Sequence, residues 1–162
     1  HPDILIQHCF PKISENATNP KACRDAYGNI VHLEFLDKYA DQTSVSAVVL
    51  VFARNQLESL SMIIRKYQTT IDKQISVEVP IVLVSVVTSE KKSKGVSKSE
   101  AVAAASEMKA LHYFEISNTS EAEELIQELT RIVVRNRVES GKKVLEAISK
   151  VQKEKKVFEL AL

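Results

Sequence analysis

Apolar residues along this chain fall into short unbroken or alternating runs, separated by stretches where they recur every three or four positions. The first pattern predicts strands and the second predicts helices with one inward face. Val45–Phe52 (VSAVVLVF) and Val79–Val87 are nearly continuous and rich in β-branched residues, as expected of strands covered on both faces and paired in parallel. Pro80 stands near the start of the second run, where a missing N–H does least harm. Leu111–Ile116 (LHYFEI) reads as a last strand. Upstream, Lys21–Ala26 and Ile30–Leu36 flank Tyr27-Gly28-Asn29, and Val31, Leu33 and Phe35 alternate with His32 and Glu34. Gly and Asn tolerate positive φ, so this stretch predicts an antiparallel hairpin with one face buried. His1–Phe10 is apolar at Ile4, Leu5, Ile6 and Phe10 but too short to separate a helix end from a strand, and Pro11–Pro20 reads as an exposed loop.

Helix signals fill the intervals. Asn55–Glu58 (NQLE) has the pattern of a capping box, and Leu57, Leu60, Ile64, Tyr67 and Ile71 follow on one face. Ser97–Glu100 is a second box, opening a helix whose narrow apolar face is Ala101, Val102, Ala105 and Met108. Ser117–Ser120 supplies the turn and cap of a third helix; Glu121, Glu123 and Glu124 suit its positive end, and Leu125, Leu129, Ile132 and Val133 pack against the sheet. Gly141 predicts a break or kink, after which Val144, Ile148, Val151 and Phe158 fall near heptad spacing among lysines and glutamates. This tail reads as docked on the domain or as a link to a next one in preference to a coiled coil, because the repeat is short and interrupted by Lys155.

The element order predicts an α/β fold: a mainly parallel sheet flanked by helices, with right-handed crossovers and an antiparallel hairpin strand at one edge. Residues 1–140 form the domain and 141–162 a helical extension or linker. Ligands in such folds sit beyond the C-terminal ends of the strands. Here those ends are Asp37–Asp41, Ser85–Glu90 and Ser117–Thr119.

Composition narrows the chemistry. With 162 residues, 44% hydrophobic and 27% charged, the chain is long enough for one core without disulfide or metal staples. A net charge of +1 sets up no global field for nucleic acid or anionic lipid. Lys91, Lys92, Lys94 and Lys98 around Gly95 lack aromatics or a phosphate-cradling pattern and read as a solvated connection. Cys9 and Cys23 come without a cysteine framework or secretory segment, so reduced thiols and a cytoplasmic setting are expected, and the glycosylation patterns at Asn16 and Asn118 carry no weight. No apolar run is long enough to cross a bilayer. His8, His32 and His112 sit on different elements with no metal spacing to the cysteines, and Ser85 and Ser117 lack an activating signature, so no catalytic or metal residue and no cofactor is assigned. The chain starts at His1 without an initiator Met and reads as a piece of a longer protein.

VPIVLV, the lysine loop, VSKSEAVAAASEMKALHYFEIS and SEAEELIQELTRIV together resemble the second half of the small GTPases of the Ras and Rab type. ILIQHCF resembles the end of that family's first helix and IVHLEFLD the strand leading to its Asp-x-x-Gly motif, so the likeness runs from Ile4 to Val134. It implies a three-layer, P-loop NTPase-like architecture. The nucleotide motifs depart from the family's pattern one after another. No G-x-x-x-x-G-K-[ST] segment occurs. The Asp-x-x-Gly position reads Asp37-Lys38-Tyr39-Ala40, with Asp41 in place of the water-orienting Gln, where a second acid would repel a triphosphate. The base-reading Asn-Lys-x-Asp becomes Val86-Val87-Thr88-Ser89, with Glu90 one position late, and the final Ser-Ala-Lys becomes Ser117-Asn118-Thr119. The short interval Asp37–Ser44 leaves little room for the second switch helix. The resemblance is thus to a pseudoGTPase domain, of the kind embedded in large FF-domain RhoGAP proteins. It implies a protein partner and neither guanine nucleotide, nucleic acid nor membrane. Two alternatives are a divergent nucleotide binder that uses Asp37 for Mg²⁺ with a phosphate loop upstream of His1, and a structural spacer between domains.

Overall fold

The computed structural model describes residues 21–24, 30–33, 46–76, 78–87 and 95–160, the side chains of 21–24, 30–33 and 154–160 excepted. Two β-branched runs and one aromatic-containing stretch form a parallel sheet in the order β3 (Val48–Ala53), β4 (Ile81–Val86), β5 (His112–Ile116). Val48 aligns with Ile81 and Val82 with His112. Because side chains alternate along a strand, β4 serves two cores at once. Val82, Val84 and Val86 pack with Ile116 on one face, and Leu83 packs with Leu50 and Phe52 on the other. All of β4 after Ile81 is buried, as a central parallel strand requires.

The helices cover these faces as three layers. Helix α1 (Leu57–Lys66) and helix α2 (Lys98–Glu107) lie on the Leu83 face; helix α3 (Thr119–Leu160) lies on the Val84 face through Ala122, Leu125, Ile126, Leu129 and Ile132. Each buried aliphatic side chain contributes about 1.5–3 kcal/mol.

Three local expectations are corrected. The Asn55–Glu58 box does not start α1: the N-cap is Gln56, which makes no side-chain cap bond. The tight turn out of β3 delays the helix by a residue, with the Gln56 N–H donating to the Ala53 carbonyl at 3.1 Å. The Ser59 hydroxyl instead accepts the Ala53 N–H at 3.0 Å, tying strand to helix. On α2 the capping box forms as expected, but the inward face is Ala101, Ala104, Ala105 and Met108, while Val102 is exposed. Positions i, i+3, i+4 and i+7 make the stripe, and Val102 falls beside it. Leu111 precedes β5 and is exposed as well.

α1 carries a feature with no sequence signal. It widens to a π-turn over Tyr67–Ile71 and returns to α over Asp72–Gln74, keeping Tyr67 and Ile71 buried. The Thr69 hydroxyl donates to the Arg65 carbonyl at 2.8 Å, and the Tyr67 hydroxyl donates to Asp72 Oδ1 at 3.0 Å. A hydroxyl that takes an i−4 carbonyl competes with the helix ladder.

α2 ends in a left-handed residue that is not glycine. Lys109 has φ 54°, with its N–H on the Ser106 carbonyl and the Ala110 N–H on the Ala105 carbonyl. Those two bonds are a Schellman motif, whose left-handed position glycine fills without a Cβ penalty. Lys109→Gly is expected to stabilise the domain by about 0.5–1 kcal/mol in urea denaturation, the exposed Lys109–Asp72 contact at 3.8 Å contributing little.

α3 runs 42 residues, about 63 Å at 1.5 Å per residue, and passes Gly141 without a break. The helix continues there because one glycine costs it only about 1 kcal/mol relative to alanine. The hairpin also forms: β1 (Lys21–Arg24) pairs antiparallel with β2 (Ile30–Leu33), from Lys21↔Leu33 to Arg24↔Ile30. It is a separate two-stranded sheet approached by α3, and among the described residues no ladder joins it to β3 as an edge strand. Its turn at Tyr27-Gly28-Asn29 and the lysines 91, 92 and 94 lie outside the described residues.

Candidate functional site

Parallel strands deliver their C-terminal ends to one side of a sheet, and β4 and β5 do so with Val86-Val87 and Ile116-Ser117-Asn118. The resemblance drawn from the sequence matches these positions to those at which a Ras-type domain reads its base. Val86 is turned into the core beneath α3 and is 1% exposed. Val87 follows it, and its N–H donates to the Ile116 carbonyl at 2.8 Å, tying the two strand ends together.

The next residues are committed to starting α3. The Asn118 side-chain oxygen accepts the Glu121 N–H at 2.9 Å, and the Asn118 carbonyl accepts the Ala122 N–H at 3.2 Å. Glu121 reaches back: its Oε2 accepts both the Ser117 N–H at 2.6 Å and the Ser117 hydroxyl at 2.7 Å. The helix N-terminus, which in many α/β folds receives a ligand anion, here holds the chain's own carboxylate. The Ser117 hydroxyl, then the Ser117 N–H, hold the Glu121 carboxyl below its ordinary range. A carboxyl so depressed contributes stability that is present above its unfolded pKa and lost as pH falls through the folded one. Glu121→Gln is therefore expected to flatten the acid limb of stability between pH 5 and 3. Urea midpoints measured across that range check it, and equal slopes for the two proteins count against the cap.

Beside this tie, on the opposite face of the sheet, runs a chain of polar contacts. Ser85, fully buried, shares a 2.7 Å hydrogen bond with the Tyr113 hydroxyl. Tyr113 also approaches Glu115 at 3.5 Å, and Glu115 pairs with Arg54 just past the end of β3. Arg54 then clamps the stem of the lysine loop: its Nε donates to the Val96 carbonyl at 3.3 Å, while its own carbonyl accepts the Val96 N–H at 2.8 Å. Gly95 fits against this clamp, since a Cβ there would lie 3.4 Å from the Arg54 carbonyl. Burial raises the Tyr113 pKa, so its hydroxyl stays protonated and able to bond Ser85.

Sequence reasoning placed Val86, Val87, Ser117 and Asn118 at the strand ends, and the structure brings all four together there. Asp37, Ala40, Asp41, Thr88 and Ser89 lie outside the described residues. Missed were the return of Glu121 to Ser117 and the Arg54–Glu115–Tyr113–Ser85 series. The Ser117–Glu121 spacing is one residue longer than a capping box, which is why it gave no signal. Ser85 is a satisfied core hydroxyl, and His112 stacks obliquely on Phe114 with ring centres 5.9 Å apart. Among the described residues no group of three or more His, Cys, Asp or Glu side chains is placed to hold a metal, and no helix is long and apolar enough to cross a membrane.

No curated protein matches the chain. Residues 31–136 match the Ras family, a span that takes in β2, the whole parallel sheet, α1, α2 and the packed part of α3. With that match over most of its length and the parallel α/β architecture beneath it, the chain belongs to the Ras family.

Proposed function

We propose that this Ras-family domain is a pseudoGTPase: it neither binds nor hydrolyses guanine nucleotide and serves as a protein-interaction module of a larger cytoplasmic signalling protein. The observation that carries the reading is the closure of the β4 and β5 ends. Val86 is spent on the core under α3, and Ser117 and Asn118 are engaged by Glu121. A base arriving there meets no free carboxylate or cation from Val86-Val87-Thr88-Ser89 and has to displace an internal cap. The sequence further offers no phosphate-cradling glycine–lysine loop. The likeness in architecture to the pseudoGTPase domains of FF-domain RhoGAP proteins supports a parent of that kind, by analogy alone.

A ligand that binds only the folded state raises its stability. Thermal unfolding in millimolar GTP or GDP with Mg²⁺ is expected to leave the midpoint unchanged, and a clear rise with either nucleotide overturns the proposal. Calorimetry on a version extended upstream of His1 tests the divergent-binder alternative, which needs the extension to bring micromolar GDP affinity.

A further inference from the structure

We infer that Gly141 is a hinge in α3, at which the helix beyond it changes direction relative to the domain while the domain stays folded. Two boundaries coincide there. Among the described side chains of α3, Ser140 is the last with partial cover, and every residue from Gly141 to Lys153 is exposed. Helices in folded proteins draw most of their stability from packing. Upstream of Gly141 that support comes from Ala122, Leu125, Ile126, Leu129 and Ile132 in the core. Downstream, the exposed stretch is sustained by its own backbone bonds.

Packing does not ask for a glycine at this place. Glycine serves a helix where a neighbour approaches too closely for a Cβ, where φ is positive, or where the helix ends. A Cβ at 141 would meet nothing within 4 Å, the backbone there is not left-handed, and the helix runs on to Leu160. Gly95 is the contrast, since its Cβ would stand 3.4 Å from the Arg54 carbonyl. What remains at 141 is the wider range of backbone conformations that glycine brings to any chain, and hence a weak link in the helix. A polar contact lies on either side of the link. Before it, Arg137 donates to the Ser46 hydroxyl at 3.1 Å; after it, Lys143 donates to Glu78 at 3.3 Å through side chains 68% and 61% exposed. An ion pair so open to water is weak, so Lys143–Glu78 acts as a latch on the straight helix and its release frees Gly141 to bend.

NMR on the full chain tests the hinge, independently of the nucleotide test. The amides of 142–145 donate across the glycine to the carbonyls four residues back. Their hydrogen-exchange protection is expected to be lower than that of 130–133 by about tenfold or more. Gly141→Ala is expected to raise it about fivefold, the ratio of the two residues' helix propensities, with 122–133 and the melting temperature unchanged. Glu78→Gln is expected to lower it about twofold. Residual dipolar couplings of 146–153 are expected to report weaker alignment than those of 122–137 and to approach them in Gly141→Ala. Equal alignment of the two segments in the unmutated chain overturns the hinge. So does low protection at 142–145 that Gly141→Ala leaves unchanged, because that marks only the end of packing. Protection unaffected by Glu78→Gln overturns the latch.

Discussion

Val86→Asn, which places Asn where the sequence resemblance puts the first residue of the base-reading motif, is expected to destabilise the domain by about 3 kcal/mol and to confer no nucleotide affinity. The loss adds two effects: an aliphatic side chain leaves a core site that is 1% exposed, and an amide enters between α3 and the sheet without partners. For a domain of this size that corresponds to a fall in melting temperature of roughly 10 °C. Affinity does not return because Ser117 and Asn118 remain engaged by Glu121, and Ser89 still supplies no carboxylate. Thermal melts of the variant with and without GDP–Mg²⁺ read both halves of the expectation. A variant as stable as the parent would show that position 86 is open enough to serve a ligand.

Phe52→Ala is expected to have the largest effect of any single truncation, about 3–5 kcal/mol. Phe52 is 2% exposed and stands with Leu50 and Leu83 under α1 and α2, so its removal leaves a cavity that the three-layer packing cannot close. Leu145→Ala, on the exposed tail, is the contrast: it is expected to change stability by less than about 0.5 kcal/mol. Urea denaturation of the two variants measures the difference. A small cost at Phe52, or a large one at Leu145, would contradict the division between packed domain and projecting helix.

Local pattern carried much of the fold. The β-branched run at Val48–Ala53, the Ser97–Glu100 box and the alternation at Ile30–Leu33 each depend on residues within a few positions of one another. The errors have the same root. Asn55–Glu58 has the right residue types for a cap, but the geometry of the turn leaving β3 set the helix start. Val102 fits an apolar helical stripe as well as Ala104 does, and only the position of the sheet beneath α2 separates them. Gly141 signals a break in a sequence window, yet a long helix absorbs it.

The candidate site divides in the same way. The sequence by itself determined which groups are present at the strand ends: Val86 and Val87 bring neither carboxylate nor cation, and Ser117 and Asn118 bring a hydroxyl and an amide. Only the tertiary structure decided what those residues do instead. It turned Val86 under α3, closed Val87 on Ile116 and brought Glu121 back to Ser117. It also left Val144, Ile148 and Val151 uncovered on a helix anchored at its root. Side-chain chemistry and short-range periodicity are properties of neighbouring residues. Facing and exposure depend on which layers meet, and that is fixed by packing among segments far apart in the chain.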